Sequence, residues 1–508
     1  VRGQSGDTLA TGAGLMDVSN IDACETCRPV SRRASAKKVT AIAAAIMLSG
    51  CVSVGPDYHA PQETPVAVQG VNAQENTQNF QAQWWKQFND PTLDALIQRA
   101  ASNSPDLKIA YARLRESRAL LGVAKSAQIP DIETGANYTR SKEQQPGFTD
   151  QRVTTTSYQA GFDASWEIDL FGGVRRSVEA ARADAGASQA ALQDAQVTLF
   201  AEIARYYFDL RGVQLRIDVA NRDIENQRET LRLIHARADI GTVSEQDLAS
   251  ATARLNFVEA QLPTLQTLAQ NDTSRLAVLV GERPGELDVD LSPKGFKPID
   301  VALDIGNAGD VLQRRPDVRI AERELAAANA RIGVAKADYY PHIQLGGFLG
   351  FLAGRSNDFG GAQSRAWSIA PSITWSGLNV QRVRSNVKAS EARADAALAG
   401  YQRAVLQAVE DVDNAIVGYN LQRDRVLKLE QQVTNSRHAT DLARIRYNEG
   451  AADFLQLLDA ERTQLEAEDA LADAQASINL RAVSVYKALG GGWQACATER
   501  CDQLAATP

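Results

Sequence analysis

Tyr158-Gln159-Ala160-Gly161-Phe162-Asp163-Ala164-Ser165-Trp166-Glu167-Ile168-Asp169-Leu170 alternates between two kinds of side chain without a break. Tyr158, Ala160, Phe162, Ala164, Trp166, Ile168 and Leu170 fall on one face of an extended chain, and Gln159, Gly161, Asp163, Ser165, Glu167 and Asp169 on the other. Successive side chains of a strand point to opposite faces, so this is a strand with one apolar and one polar face. Alternation over about ten residues, apolar outward and polar inward, is what a membrane β-barrel strand requires. Trp and Tyr near its ends suit the membrane–water interface. A soluble amphipathic hairpin shares the alternation, so the decision rests on what surrounds it.

Downstream the period changes from two to three and four. From Val178, apolar or small residues fall at 181, 185, 188, 192, 195 and 199 and continue in that rhythm to 238, with only Ser188 and Gln227 clearly polar. This is a coiled-coil seam with one stutter. About 60 helical residues extend roughly 90 Å. The helix stops near Gly241, a normal stop signal, and a second seam returns from about Ser244 to Val280.

The whole unit is then written again. Pro105 and Pro130 recur as Pro316 and Pro341, an offset of 211, and Gly241 recurs as Gly450, an offset of 209. Trp367, Ile369, Pro371, Ile373 and Trp375 alternate with Ser368, Ala370, Ser372, Thr374 and Ser376; a seam from Val380 to Tyr447 follows, and another from Phe454 to Leu489. Partner strands are expected at Ile132–Arg140 and His342–Leu352. The period is too long for a solenoid, so the chain divides into a leader (1–50), an extended N-terminal segment (51–91), two structural repeats (92–300 and 301–490) and a tail (491–508). Each repeat is expected to hold two strands and one long antiparallel helical hairpin.

Four strands cannot close a barrel, and an open edge does not survive in hydrocarbon. Subunits therefore pool their strands, and cyclic symmetry with three chains gives twelve. The expected fold is mainly α with a membrane β-barrel whose twelve strands are pooled from three chains. Asp163, Glu167 and Asp169 are expected to face the lumen and favour cations.

Arg32, Arg33, Lys37 and Lys38 precede the apolar run Val39–Leu48, which ends in Leu48-Ser49-Gly50-Cys51. Basic flank, short apolar run and small-residue cleavage site make a secretory signal. Leu-Ser-Gly-Cys resembles the lipobox of bacterial lipoproteins, in which the cysteine, here Cys51, carries the lipid. Val52, where an Asp would favour inner-membrane retention, points to the outer membrane. The formal net charge is -8, with no basic cluster beyond the leader, so there is no nucleic-acid footprint. Cys24 and Cys27 form a lone pair without metal-ligand company. Cys496 and Cys501 either close a local disulfide or stay as thiols.

Val54-Gly55-Pro56-Asp57-Tyr58, Trp84-Trp85-Lys86-Gln87-Phe88-Asn89-Asp90-Pro91, Trp166-Glu167-Ile168-Asp169-Leu170-Phe171-Gly172 and Tyr486-Lys487-Ala488-Leu489-Gly490-Gly491-Gly492-Trp493 occur in that order. The chain resembles the TolC and OprM type of outer-membrane efflux channels, in the NodT-like lipoprotein branch, over residues 51–493. The resemblance implies a homotrimer with a 12-strand barrel in outer-membrane lipid and a 12-helix periplasmic tunnel, the exit duct of a tripartite efflux system that passively conducts drugs or other small molecules. It also implies a periplasmic adaptor and an inner-membrane pump of the resistance-nodulation-division type, and no cofactor beyond lipid on Cys51. Gly241, Thr242 and Val243, with Gly450, Ala451 and Ala452, match the tips that meet the adaptor. Leu455, Asp459 and Arg462 match the periplasmic constriction, and Tyr447 and Asp247 match positions that link neighbouring hairpins. Gln456 stands at the family's second acidic ring position, which leaves Asp459 as the ring carboxylate; three of them would form a like-charge cluster.

An enzyme is disfavoured: the four histidines, His59, His235, His342 and His438, are scattered, and no nucleophile or phosphate motif appears. A periplasmic coiled-coil scaffold lipoprotein has no need of two pairs of alternating strands. A protein-secretion duct stays open as a variant of the same architecture.

Overall fold

The computed structural model describes residues 53–61, 82–145, 149–294, 298–299, 311–376 and 379–494. Cys24, Cys27, Cys51, Cys496 and Cys501 lie outside the described residues, and so do the lipidation and disulfide expectations.

The first repeat runs α1 (Pro91–Asn103), α2 (Pro105–Ser126), β1 (Asp131–Gln145), β2 (Thr149–Ile168), α3 (Gly173–Asp239) and α4 (Glu245–Val280). The second has a short helical turn Val311–Arg314, then α5 (Pro316–Ala337), β3 (His342–Ala353), β4 (Arg365–Thr374), α6 (Val380–Asn448) and α7 (Phe454–Ala488). α2 and α5 both begin on a proline, whose fixed φ suits a first helical turn and whose missing N–H costs nothing there. At 67 and 69 residues, α3 and α6 each extend about 100 Å. Among the described residues no helix is long and apolar enough to cross a membrane.

The strands form one antiparallel sheet in the order β1-β2-β3-β4, so the two repeats meet at β2–β3. Thr134, Phe162, Leu349 and Trp367 make one row across it; Ile132, Ala164, Gly347 and Ile369 make another on the same face. Phe162, Leu349, Trp367 and Ile369 are exposed in the single chain. The opposite face carries Glu133, Asp163 and Ser368 in a row interrupted by Phe348, the one large aromatic in that row and the place where the alternation of β3 fails. All four strands, of 15, 20, 12 and 10 residues, reach the length needed to span hydrocarbon when tilted.

The same lock closes the base of the sheet in both repeats. The Trp166 indole N–H donates to the Gln128 carbonyl at 3.2 Å, and the Trp375 indole to the Tyr339 carbonyl at 3.1 Å. Donors and acceptors are related by the repeat offsets, so each tryptophan pins the turn between the preceding helix and strand.

The main core lies farther down α3, where Trp84 and Trp85 meet the ends of the hairpins. Trp84 stacks on Tyr486 at 5.4 Å, and Trp85 packs edge-on against Phe200. The Tyr486 hydroxyl donates to Gln87 at 2.6 Å. Asp90 caps α1 by accepting from the Thr92 amide at 2.9 Å and takes a hydrogen bond from Tyr207. The segment before the first repeat is thus packed on the last helix of the second.

Candidate functional site

The helix tips are built alike. Gly241 has φ 74° and Gly450 has φ 71°, the left-handed conformation that ends a helix at least cost on glycine. The Thr242 amide donates back to the Arg237 carbonyl at 3.0 Å and the Ala451 amide to the Arg446 carbonyl at 2.8 Å. Nothing lies within 4 Å of where a β-carbon would stand on either glycine. These glycines serve the turn and leave their outer side open. Gly241, Thr242, Gly450 and Ala451 are exposed, while Val243 is half-buried.

α4 then starts on a capping box: the Asp247 amide donates to Ser244 Oγ at 3.1 Å, and the Ser244 amide and hydroxyl donate to Asp247 Oδ2 at 3.1 and 2.8 Å. α7 starts on Asp453, which accepts from the Gln456 amide at 2.9 Å. Asp247 and Gln456 are therefore third residues of equivalent helices. They are used differently: Asp247 answers its cap with its carboxylate, whereas Gln456 gives its cap only a backbone amide.

Behind the turns one apolar cluster joins both hairpins: Ile234, Ala251, Tyr447, Phe454 and Leu457, with Val243 and Leu248 against it. Tyr447 is 4% exposed. The Arg237 guanidinium sits 4.5 Å from its ring centre, while the buried Tyr447 hydroxyl has no hydrogen-bond partner among the described residues. Among the described residues no hydrogen bond joins Tyr447 to Asp247, whose carboxylate is bonded to Ser244.

Leu455, Asp459, Arg462 and Glu466 form a stripe along α7 on the side away from this cluster. Leu455 is 49% exposed. Arg462 pairs with Asp459 at 2.7 Å and with Glu466 at 3.8 Å, with all three side chains more than half exposed. Exposed pairs of this kind contribute about 1 kcal/mol at most. The residues that the sequence reading expects at a constriction thus share one exposed face of α7.

The sequence reading missed the polar seam that ties α7 to α3 and α6, buried at Gln227 and Glu461 and partly exposed elsewhere. The Glu461 side chain is 4% exposed, accepts from Gln227 at 3.1 Å and pairs with Arg444 at 2.9 Å. Arg216 clamps Asp469 with two bonds, of 2.7 and 3.0 Å, and Arg437 pairs with Glu468 at 2.7 Å. Gln227, a polar residue inside an otherwise apolar seam, was the signal that could have found it.

At the sheet, Asp163 lies on the polar face. Glu167 shares that face but bonds His342 Nδ1 at 2.8 Å, which ties up its carboxylate. Asp169 departs from the expectation. β2 ends at Ile168, and the Asp169 side chain, 17% exposed, accepts from the Arg175 amide at 2.9 Å and pairs with its guanidinium at 3.2 Å. It anchors the first turn of α3 because the alternation has already ended there.

An apolar-faced four-stranded sheet carried on two helical hairpins about 100 Å long defines a membrane-inserted protein whose helical part projects well beyond the bilayer. The comparisons agree. A match to the outer membrane efflux protein family covers residues 96–282 and 307–491, one stretch for each repeat. The chain is 32% identical over 422 residues to the pyoverdine export outer membrane protein OpmQ of Pseudomonas putida, covering 81% of this chain and 88% of that one. It is similar to the outer-membrane channel OprN, with a TM-score of 0.85 and 44% identity over 87% of this chain and all of that one. It is also similar to the Neisseria gonorrhoeae MtrE channel in its open state, with a TM-score of 0.76 and 29% identity over 87% of this chain and 98% of that one. The chain belongs to the outer membrane efflux protein family. It is an outer-membrane component of an efflux system.

Proposed function

We propose that three copies close into a conduit that passively carries drugs or other small molecules from a periplasmic adaptor and an inner-membrane pump to the outside. The observation that carries this reading is the pair of sheet edges. β2 pairs with β3 across the repeat boundary, while β1 and β4 end the sheet. The repeat-equivalent partner of β4 is the β1 of a neighbouring copy, and twelve strands result from three chains. The α3–α5 packing likewise has its equivalent in α6 against a neighbour's α2, whose Leu120 and Val123 are exposed in the single chain. In such an assembly the stripe from Leu455 to Glu466 faces its threefold copies, and Asp459 and Arg462 hold the closed constriction. Asp163 lines the lumen. Gly241, Thr242, Val243, Gly450 and Ala451 form the adaptor-facing tips, their open backbone suited to a helical hairpin. The conduit needs no catalytic group or cofactor, and lipid on Cys51 adds an anchor.

OpmQ is named for pyoverdine export and another relative, TtgI, for toluene efflux. Both cargoes are small molecules, which favours small-molecule export here over protein secretion; the pump supplies the specificity. The test is assembly and conductance. Outer-membrane extracts should yield heat-resistant trimers that conduct weakly in planar bilayers, and Asp459→Ala should raise the single-channel conductance several-fold. A monomer without channel activity overturns the conduit, and unchanged conductance in Asp459→Ala overturns its role in the constriction.

A further inference from the structure

Residues 53–58 lie across the junction between β2 and α3, and every residue from Val54 to Tyr58 is held. The Val54 amide donates to the Phe171 carbonyl at 3.0 Å. Arg176 donates from Nε to the Val54 carbonyl at 3.2 Å, and from Nη2 to the Gly55 carbonyl at 3.4 Å and the Asp57 carboxylate at 2.6 Å. Asn329 Nδ2 donates to the Pro56 carbonyl at 3.1 Å, and the Tyr58 hydroxyl to Glu322 at 2.6 Å. The segment touches both repeats at once, through α3 of the first and α5 of the second.

We infer that Gly172, Arg176, Glu322, Asn329 and Gly333 form a peptide-binding site whose occupant is the chain's own segment Ser53–Tyr58. Three features mark a site with a dedicated occupant. Arg176 is 3% exposed, yet among the described residues its guanidinium bonds, apart from Glu179 at 2.7 Å, only the segment; a buried guanidinium stripped of them is strongly unfavourable. The backbones also meet without room for side chains. A β-carbon on Gly55 would stand 2.5 Å from the Gly333 Cα, and one on Gly172 would stand 2.7 Å from the Ser53 Cα. Finally, the site occurs once in a chain that otherwise repeats itself. By the offsets of 209 and 211, the second-repeat counterparts of Gly172 and Arg176 are Gln381 and Ser385, and the first-repeat counterparts of Glu322, Asn329 and Gly333 are Tyr111, Arg118 and Gly122. Gly122 has nothing within 4 Å of its would-be β-carbon. Repeat packing alone does not make this pocket.

The ligand class follows from the donors: an extended peptide with a glycine to cross Gly333, a proline that leaves no unmet amide, and a carboxylate two residues after that glycine. Tension on the chain upstream of Ser53 enters the fold at this clasp and is shared by both repeats.

Hydrogen exchange of the Val54 amide in the full-length protein tests the clasp, with Cys51→Ser as a control for any lipid tether. The expected result is slow exchange in the wild type and in Cys51→Ser, and at least tenfold faster exchange in Arg176→Met and Gly333→Val. In a second measurement, a synthetic peptide of residues 52–61 should bind saturably to a chain lacking 53–58 and not to that chain carrying Arg176→Met. Equal exchange in wild type and Arg176→Met overturns the assignment. So does protection lost in Cys51→Ser, because the tether and not the site would then hold the segment.

Discussion

Gln227 of α3 donates to the Glu461 carboxylate of α7 at 3.1 Å, deep between the two hairpins. Glu461 is also met by Arg444 of α6 at 2.9 Å, so one buried carboxylate joins three long helices. Removing the carboxylate leaves the buried Gln227 amide short of an acceptor, at about 1–3 kcal/mol, while Arg444, 44% exposed, turns to solvent. Glu461→Ala should therefore loosen the tips: amides around Ile234 and Tyr447 should exchange faster, and the conductance should rise without any change at the exposed stripe. Gln227→Leu with Glu461→Leu should restore much of the stability, since replacing both buried members by apolar groups is milder than stranding one. Unchanged exchange in Glu461→Ala would remove the node from any account of tip rigidity.

The two tips should respond alike to loss of glycine and differently to loss of their caps. Gly241→Ala and Gly450→Ala each place a side chain at positive φ in open space, at about 1–2 kcal/mol. Ser244→Ala removes a reciprocal capping box and should cost about 1 kcal/mol. Gln456→Ala should cost much less, because only its backbone amide is used by Asp453. Local exchange rates at the starts of α4 and α7 measure both effects.

The repeat, the strands and the hairpins were legible because each is a pattern of period. The alternation from Tyr158 and the seam from Val178 needed only the side-chain directions of a strand and a helix. The foreseen ends at Gly241 and Gly450 fall two residues past Asp239 and Asn448, where α3 and α6 stop. What escaped was partner choice. Asp169 continues the alternation in sequence but turns to Arg175, and Asp247 answers Ser244 three residues earlier, a capping signature that could have been read directly. Glu461 falls in step with Phe454 and Leu457 on the buried side of α7, and sequence does not say which helix supplies its donors.

Acidity should act through Asp272 of α4. Burial pushes its carboxyl up to about 6 from 3.8, the nearby Asp209 carboxylate adds to the rise, and Arg205 opposes it. The folded state therefore holds this proton more tightly than the unfolded chain. The contribution to stability is fully present below about pH 3.8 and is lost as pH rises through about 6. Asp272→Asn should thus be more stable than the wild type above pH 6, by about 1 kcal/mol once solvent screening at this half-buried site is allowed for. The two proteins should converge near pH 4. Thermal dissociation of the assembled protein at pH 4, 6 and 8 checks the sign.

Arg315 ties the start of α5 to the ends of the helices around it. Its side chain, 10% exposed, pairs with Asp317 at 2.6 Å and Asp411 at 2.9 Å and donates to the Ala488 carbonyl at 2.9 Å. The fork geometry matters, because one planar group serves two carboxylates and a carbonyl that lie in different directions. Arg315→Met should take the donor from the Ala488 carbonyl and the partner from Asp317 and Asp411, which solvent partly replaces because they are 37% and 55% exposed, and cost about 1–3 kcal/mol. Arg315→Lys should recover only part, as an ammonium reaches one carboxylate well but not all three acceptors. Asp411→Asn should be the mildest, since that side chain is 55% exposed and the guanidinium keeps Asp317. The midpoint of thermal dissociation should therefore fall in the order wild type, Asp411→Asn, Arg315→Lys, Arg315→Met. A lysine variant as stable as the wild type would show that charge alone, and not the fork, holds α5 in place.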